Sequence, residues 1–372
     1  MIAAAVFIPI CAINSKTIKV AFYSVGKRVQ DGVKSEIEKM NFSRVKYFEL
    51  DAGAALPKNF EKTYSILIAK NSLALKRNAR KFVPVGAGVM DALPSAIRRS
   101  TLDGDKNYAL PILLDHFELA YYKPAQDKLK LKTPQSYGSL LRFLETVKKT
   151  QKIPLACAGG NDRDLLGFVS AMSETLYGAE EYKKMLSLVR ESSALNKNAL
   201  PEALTRVLDE IKAMQEKELI FPKWTKVTIG DMRFFMQERM LGATAMFLSE
   251  RRDFEYNLIR YFDSSYFPRY DNQAQHGIIA PQIVAVLLTK KKNAPMILGR
   301  LAGVDAQENL TNLSLLAPTA SRAESVDRQA DDIRFWAASS AAGALGGIEE
   351  ECEVSSERLA LLAKKIRIYL EN

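Results

Sequence analysis

Residues 17–50, TIKVAFYSVGKRVQDGVKSEIEKMNFSRVKYFEL, decide the fold class. Residues 17–23 are rich in β-branched and aromatic side chains, which predicts a strand. Past Gly26, apolar side chains recur at helical spacing, at Val29, Val33, Ile37 and Met40. Residues 45–50 and 65–69 predict a second and a third strand. A strand–helix–strand opening is typical of a parallel sheet with crossover helices, so the sequence predicts an α/β chain.

The alternation of strand and helix patterns continues along the chain. Residues 107–122 form a long β-prone stretch, and residues 153–157 predict another strand that ends at a Gly-Gly turn. Asn161 or Asp162 then caps a helix. Residues 256–268 return to strand-like character, and the chain is predicted to finish in helices.

Two further helix starts have local signals. Thr133 and Pro134 provide an N-cap and a first-turn proline, and Pro201 with Glu202 marks a second start. The second helix carries an apolar stripe at Leu204, Val207, Leu208, Ile211 and Met214. Such a stripe indicates core packing.

Size and charge limit the classes of function. A chain of 372 residues predicts about two to three domains, and 47% hydrophobic residues suffice for a sizeable core. The formal charge of +10 is dispersed along the sequence. Its densest run, residues 290–292, has no accompanying RNA-binding pattern, so no nucleic-acid partner is predicted.

Motifs for catalysis and for cofactors are missing from the sequence. Three cysteines and two histidines occur without metal-ligand spacing, and no phosphate-binding loop follows a strand. No Gly-x-Ser-x-Gly pentapeptide occurs. Glu349, Glu350 and Glu351 are neighbours whose side chains would point in different directions on a helix, so they are interpreted as a solvated acidic run. The sequence therefore predicts no metal, no cofactor and no enzyme.

The N-terminal segment, residues 1–15, is interpreted as a signal or lipoprotein-like segment. Residues 2–10 form an uncharged apolar run that is too short to span about 30 Å of hydrocarbon but has the length of a signal-peptide core. Cys11 follows this run and resembles the lipidated cysteine of a bacterial lipobox. The alternative is a short buried strand that ends in a core cysteine. Export predicts a periplasmic or cell-envelope protein, with a lipid anchor at Cys11 as one form of attachment.

Several segments resemble extracellular solute-binding proteins of ABC importers, of the sugar-binding type. These segments are YALPILLDHFELAYYKP (108–124), TPQSYGSLLRFLETVKK (133–149), KIPLACAGGND (152–162) and FFMQERMLGATAMFLS (234–249). In the family a tryptophan often follows the last of them. Glu250, Arg251 and Arg252 stand there in this chain, which puts a sugar-stacking role at that point in doubt.

The resemblance implies a two-lobed periplasmic-binding-protein-like fold, in which each lobe is a β-sheet flanked by helices and the ligand cleft lies between the lobes. Residues 16–112 plus 259–308 would form the first lobe. Residues 113–258 plus 309–372 would form the second. A small ligand, a sugar or oligosaccharide, would be captured in the cleft and delivered to the permease subunits of an ABC transporter. The alternative function is a secreted carbohydrate-active enzyme.

Sugar recognition requires aromatic faces that stack on the ring and planar polar groups that pair with hydroxyls. Loops at strand ends and at lobe crossings should carry these groups. The candidate ligand-binding residues are Tyr23, Asn71, Asp115, Asn161, Asp162, Arg251 and Trp336. The alternative role of Asp162 is a helix N-cap, and that of Trp336 is core packing.

Overall fold

The structure, a computed structural model, describes residues 17–51, 56–191, 200–270, 275–291, 293–352 and 356–372. The predicted N-terminal segment, residues 1–15, lies outside the described residues, and so does its Cys11. The strands are β1 (Ile18–Tyr23), β2 (Val45–Leu50), β3 (Ile66–Lys70), β4 (Leu102–Asp103), β5 (Lys106–Asn107), β6 (Leu110–Leu114), β7 (Phe117–Tyr122), β8 (Ile153–Cys157), β9 (Leu241–Phe247), β10 (Phe262–Ser265), β11 (Gly277–Ile279), β12 (Gln282–Leu287), β13 (Ala317–Pro318) and β14 (Gly343–Leu345).

Helices of very different length alternate with these strands. They are α1 (Lys27–Glu38), α2 (Phe60–Thr63), α3 (Leu73–Asn78), α4 (Ala87–Met90), α5 (Ser95–Arg99), α6 (Lys123–Leu129), α7 (Tyr137–Val147), α8 (Asp162–Glu191), α9 (Glu202–Glu216), α10 (Ile229–Gln237), α11 (Leu248–Arg251), α12 (Tyr256–Ile259), α13 (Asn293–Ala302), α14 (Val304–Ser314), α15 (Arg328–Ser339), α16 (Ile348–Glu351) and α17 (Ser356–Glu371). The longest, α8, is broken at Gly178, whose φ of 74° is left-handed.

The first sheet has the strand order β13-β6-β12-β3-β1-β2. The predicted opening is confirmed, because β1 pairs in parallel with both β2 and β3, and α1 connects β1 to β2. Helices α1, α13 and α14 pack on one face of the sheet, while α3 and the loop around Phe82 cover the other. Burial on both faces explains why β3 and β12 are continuous apolar runs.

The second sheet has the order β10-β7-β9-β8, in which only the β8–β9 pair is parallel. Helices α7, α8, α9 and α17 enclose a large core on one face, and α6 and α10 cover the other. Gly167 allows α8 to approach the sheet closely, since a β-carbon there would lie 2.7 Å from the Phe117 ring. Each sheet is thus flanked by helices, as predicted.

The chain passes between the sheets at several points, and strand pairing places these crossings differently from the predicted lobe boundaries. Residues 115–116 separate β6 of the first sheet from β7 of the second, a few residues later than predicted. Strand β10 was expected in the first lobe but pairs with β7, and β13 was expected in the second lobe but pairs with β6. The predicted boundaries came from the order of loosely matching segments along the chain. Backbone hydrogen bonds determine which sheet each strand joins.

The last third of the chain also departs from the prediction. Residues 256–268 contain the single helical turn α12 before β10 begins. The chain does not finish in helices alone, because β11, β12, β13 and β14 all lie beyond residue 276. The central strand β12, QIVAVL, is fully buried between β6 and β3. Pattern alone does not separate such a short apolar run from a buried helix.

Candidate ligand site between the sheets

The ends of several strands face each other across the boundary between the two sheets. Strands β1, β3 and β6 run in the same direction, so the residues that follow them lie at one edge of the first sheet. Strands β8 and β9 end at the edge of the second sheet from which β7 begins. Because Asp115 and His116 alone separate β6 from β7, these edges adjoin, and ligands of α/β proteins bind at such edges.

A cavity of about 690 Å³ lies at this boundary. Asn71, Ser100 and Gln282 contribute to its first-sheet wall, and Tyr182 and Arg190 of α8 line the opposite side. Ligand sites for small molecules commonly occupy about 300–1,000 Å³. The cavity therefore has room for a saccharide and draws its walls from both halves of the molecule.

Asn71 is the predicted residue that lines this cavity, and its amide is held in a polar network. The Tyr108 hydroxyl donates to Asn71 Oδ1 at 2.7 Å, and Asn71 Nδ2 donates to Gln282 Oε1 at 3.0 Å. Ser100 Oγ donates to the same Gln282 oxygen at 2.7 Å. Burial raises the pKa of Tyr108 above its ordinary value, so this phenol stays protonated as a donor. The Asn71 amide therefore holds the side chains of Tyr108 and Gln282 in place in the cavity wall.

Asp115 ties the crossing between the sheets to the end of β9. It accepts hydrogen bonds from the backbone N–H of Ser249 at 3.1 Å and from its Oγ at 2.8 Å. Arg163, in the first turn of α8, pairs with Asp115 and with Glu250, the latter at 3.3 Å. The guanidinium of Arg163 also stacks on the Phe247 ring, 3.8 Å from its centroid. Asp115 is thus fully engaged by its own crossing.

The acidic residues of α16 join the two halves. Lys70, at the end of β3, lies 2.5 Å from Glu349 Oε1 and 3.5 Å from Glu350 Oε1, and Lys76 pairs with Glu351. Helix α16 packs on α8, so these pairs connect the first sheet to the helices of the second. The interpretation of these glutamates as a solvated run is wrong, because Glu350 is only 4% exposed. The single turn of α16 presents the carboxylates to lysines that are remote in sequence.

Arg251 lies in a buried ion pair, away from the cavity lining. Its Nε donates to Glu118 Oε1, which also accepts from Ser264 Oγ at 2.7 Å. Burial by itself would raise the pKa of Glu118, but Arg251 and His116 outweigh burial and hold that pKa below its ordinary value. This carboxylate and guanidinium hold β7, α11 and β10 together.

Trp336 of α15 is half-buried and makes aromatic contacts at the same crossing. Its ring meets His116 edge-on at a centroid distance of 5.6 Å and Tyr266 at 5.9 Å. These distances are typical of stabilising aromatic pairs. Trp336 therefore packs against the crossing segment and lies outside the cavity lining. Whether it also contacts a ligand stays a prediction.

The three remaining candidates also have structural partners. Asn161 Oδ1 accepts from the Arg163 backbone N–H at 3.0 Å and so caps α8. Asp162 pairs with Arg367 of α17 at 2.6 Å. Tyr23 is 9% exposed and packs in the apolar cluster on the α3 face of the first sheet. Whether these side chains also meet a ligand stays a prediction.

Sequence reasoning missed most of the side chains that line the cavity. Arg99, Tyr182, Lys183 and Arg190 had no local motif. Arg99 ends α5 and the other three lie on α8, so only the tertiary fold brings them to one cavity. Gln282 had a usable signal, since it begins the apolar run QIVAVL and a strand end is a plausible place for a ligand-facing amide.

The part of the chain that the structure describes contains neither a candidate metal site nor a candidate membrane-spanning helix. No group of three or more histidine, cysteine, aspartate or glutamate side chains there is arranged to hold a metal ion. No described helix combines the length and the apolar character that crossing a bilayer requires. Cys157 and Cys352 are both buried and free, so they do not form a disulfide with each other.

Comparisons with known proteins bear on the fold. No protein-family model matches the chain, and no curated protein matches its sequence. Among solved structures, the bacterial solute receptor AcbH, described as having an exclusive preference for β-D-galactopyranose, superposes with a TM-score of 0.75 at 14% identity, covering 96% of this chain and 94% of that one. RafE from Streptococcus pneumoniae, in its apo form, gives 0.68 at 12% identity, covering 95% and 97%. A sugar transporter from Bacillus licheniformis in complex with stachyose gives 0.62 at 13% identity, covering 95% and 98%. The chain therefore has the two-lobed α/β fold of the solute-binding proteins, as the sequence predicted.

Proposed function

We propose that the protein is the solute-binding component of an ABC importer and that it captures a saccharide between its two lobes. The observation that carries this proposal is the cavity of about 690 Å³ whose walls come from both lobes. The fold supports the proposal. One solved protein that shares it is a receptor with a preference for galactopyranose, and another was solved in complex with stachyose. Delivery to permease subunits, export to the cell envelope and lipid attachment at Cys11 are further parts of the proposal.

A ligand held between two walls gives a mechanism for capture. A ligand between two walls loses water on both sides only when the lobes close. Closure is favoured by ligand contacts to both lobes, since only differential affinity shifts an open–closed equilibrium. The segments around residues 107–122 and 250–261 are proposed as the hinge, with Asp115 as a residue that positions the crossing.

A binding assay and a turnover assay together test this function. Saturating saccharide should raise the apparent unfolding temperature, because a ligand that binds only the folded state stabilises it. The same saccharide should reduce the radius of gyration in small-angle scattering. The ligand recovered after incubation should be chemically unchanged. Altered ligand would instead favour the secreted carbohydrate-active enzyme.

Asn71→Ala is the variant that links the assay to the cavity. It should weaken saccharide binding by about 1–3 kcal/mol, because the hydrogen bonds that orient Gln282 and Tyr108 in the cavity wall are lost. The matched control is Asn78→Ala on α3, whose side chain bonds to the Ala74 carbonyl and does not line the cavity. Equal affinity in the two variants, together with an unchanged radius of gyration, would contradict the proposal.

A further inference from the structure

The cavity wall carries positive charges that have no carboxylate partner among the described residues, which bears on the kind of saccharide that the proposed function would involve. Arg99, the last residue of α5, is exposed and donates only to the Ala341 carbonyl, at 3.2 Å. Arg190, near the end of α8, donates to Ser187 Oγ at 2.7 Å. Neither guanidinium forms an ion pair with a carboxylate of the described residues. One comes from each side of the cavity.

The acidic side chains of the lining leave this positive charge largely uncompensated. Glu351 is paired with Lys76, and Glu180 with Lys183 at 2.9 Å. Asp103, on the exposed β4–β5 hairpin, is the acidic group of the lining that has no ion pair within the described residues. After these pairings, two guanidinium groups face one carboxylate around the cavity.

Gln282 provides a second and independent observation. It is 3% exposed, and its Oε1 already accepts from Asn71 and Ser100. Its Nε2 is buried without a hydrogen-bond partner in the part of the chain that is described. A buried donor without an acceptor is costly. Because Gln282 belongs to the cavity wall, an oxygen atom of a ligand there would supply the missing acceptor.

The same wall offers little to the flat face of a neutral sugar. Its tyrosines, Tyr108 and Tyr182, are 5% and 1% exposed. Their hydroxyls are also engaged, with Asn71 at 2.7 Å and with the Gly346 carbonyl at 3.0 Å. Recognition in this cavity therefore depends on hydrogen-bond donors and charge more than on aromatic stacking.

We infer that the cavity takes a saccharide that carries an oxyanion, in the form of a uronic acid or of a sulfated or phosphorylated sugar, with the anionic group bound by Arg99 and Arg190. Guanidinium groups bind planar carboxylates and tetrahedral oxyanions through paired hydrogen bonds. The formal charge of +10 would attract such a ligand from a distance. The inference rests on the proposed function and specifies the substrate class.

Matched acidic and neutral sugars test the inference. The probes are galacturonic acid and trigalacturonate against galactose and galactotriose, with glucose 6-phosphate and glucose 6-sulfate against glucose. Calorimetry at low salt should show at least about tenfold tighter binding of the acid in one of these sets, and added salt should weaken it. The set that responds identifies the oxyanion as carboxylate, phosphate or sulfate.

Arginine variants connect that preference to the cavity. Arg99→Gln and Arg190→Gln should each lower affinity for the acidic probe about tenfold, with little effect on its neutral counterpart, since a charge-assisted hydrogen bond is lost. The control is Arg206→Gln on α9, whose exposed side chain pairs with Glu202 outside the cavity. Unfolding midpoints of all three variants should stay close to that of the parent.

Three negative results of these experiments would have different consequences. Neutral sugars that bind as tightly as their acidic counterparts would overturn the inference and leave the proposed function standing. Acid binding that survives both arginine substitutions would overturn the assignment of the oxyanion to Arg99 and Arg190. If neither kind of saccharide binds, the proposed function fails and the inference fails with it.

Discussion

Two sets of ion pairs join the lobes, one at the centre of their boundary and one at its edge. At the centre, Lys70 reaches Glu349 and Glu350, and the latter carboxylate is 4% exposed. At the edge, Arg28 of α1 lies 2.5 Å from Asp253, but the two side chains are 55% and 53% exposed. Water and salt screen the edge pair, and such pairs typically contribute less than about 1 kcal/mol. A short distance is therefore a poor guide to strength unless burial is considered with it.

The difference between buried and exposed ion pairs should be largest for the buried pair Arg251–Glu118. Arg251→Met would leave the Glu118 carboxylate buried without its cation, which should lower the free energy of unfolding by about 3–5 kcal/mol. Urea denaturation of parent and variant measures the loss. The double variant Arg251→Met with Glu118→Leu should recover much of it, because no uncompensated charge remains. A single variant that loses less than about 1 kcal/mol would remove the distinction between buried and exposed pairs.

The second prediction concerns how Asp164 makes the stability of the protein depend on pH. This residue of α8 is fully buried beside Arg163 and Glu250, and burial together with Glu250 raises its pKa to about 10. The folded state therefore keeps a proton that the unfolded chain, with an ordinary pKa of 3.8, has lost at neutral pH. Stability should fall as pH rises between these two values, by up to about 1.4 kcal/mol per pH unit.

Asp164→Asn should remove this dependence on pH. The amide keeps the shape of the protonated carboxyl but has no proton to lose, so the variant should be more stable than the parent at about pH 8 and similar near pH 4. Urea midpoints measured across this range check the expectation. The control is Asp162→Asn, two residues away, whose carboxylate is partly exposed and paired with Arg367. Parallel pH profiles for the parent and Asp164→Asn would contradict the expectation.

The smallest effect concerns the lobe boundary itself. Lys70→Met leaves Glu349 and Glu350 facing each other without their cation, which should cost about 1–2 kcal/mol in the free energy of unfolding and favour the open form in scattering. Arg28→Ala, at the exposed edge, is the matched control and should change stability by less than about 1 kcal/mol. Equal effects of the two substitutions would show that burial does not distinguish these contacts.

Local signals accounted for much of the fold. Glu202 begins α9 as expected, and its predicted apolar stripe, from Leu204 to Met214, is buried throughout. The signal at Thr133 and Pro134 marked a real helix a few residues early, because Ser136 supplies the N-cap of α7 by accepting from the Ser139 N–H. These features depend on neighbours in sequence, which is why a pattern reveals them.

Most of the residues that line the cavity could not be predicted from such local signals. Asn71 follows a strand and was identified on that ground, but Arg99 and Arg190 lie on helices that are far apart in the sequence. Their proximity depends on how α5 and α8 are placed by separate sheets. Arg251 was chosen because it follows β9, and no signal in the sequence indicates that its side chain turns inward to pair with Glu118. Tertiary packing determines both the position of the two cavity arginines and the orientation of Arg251. A local sequence pattern does not predict such packing.

The placement of β12 has a consequence for how the chain folds. This strand lies between β6 and β3 although it begins only at Gln282, and β13 is added to the same sheet later still. The second sheet, in contrast, has all its strands by Ser265. At typical synthesis rates of about 5–20 residues per second, the N-terminal lobe waits roughly tens of seconds for its central strand. The part of the protein made first is thus the part completed last, and β3 and β6 keep unpaired edges while the rest of the chain is synthesised.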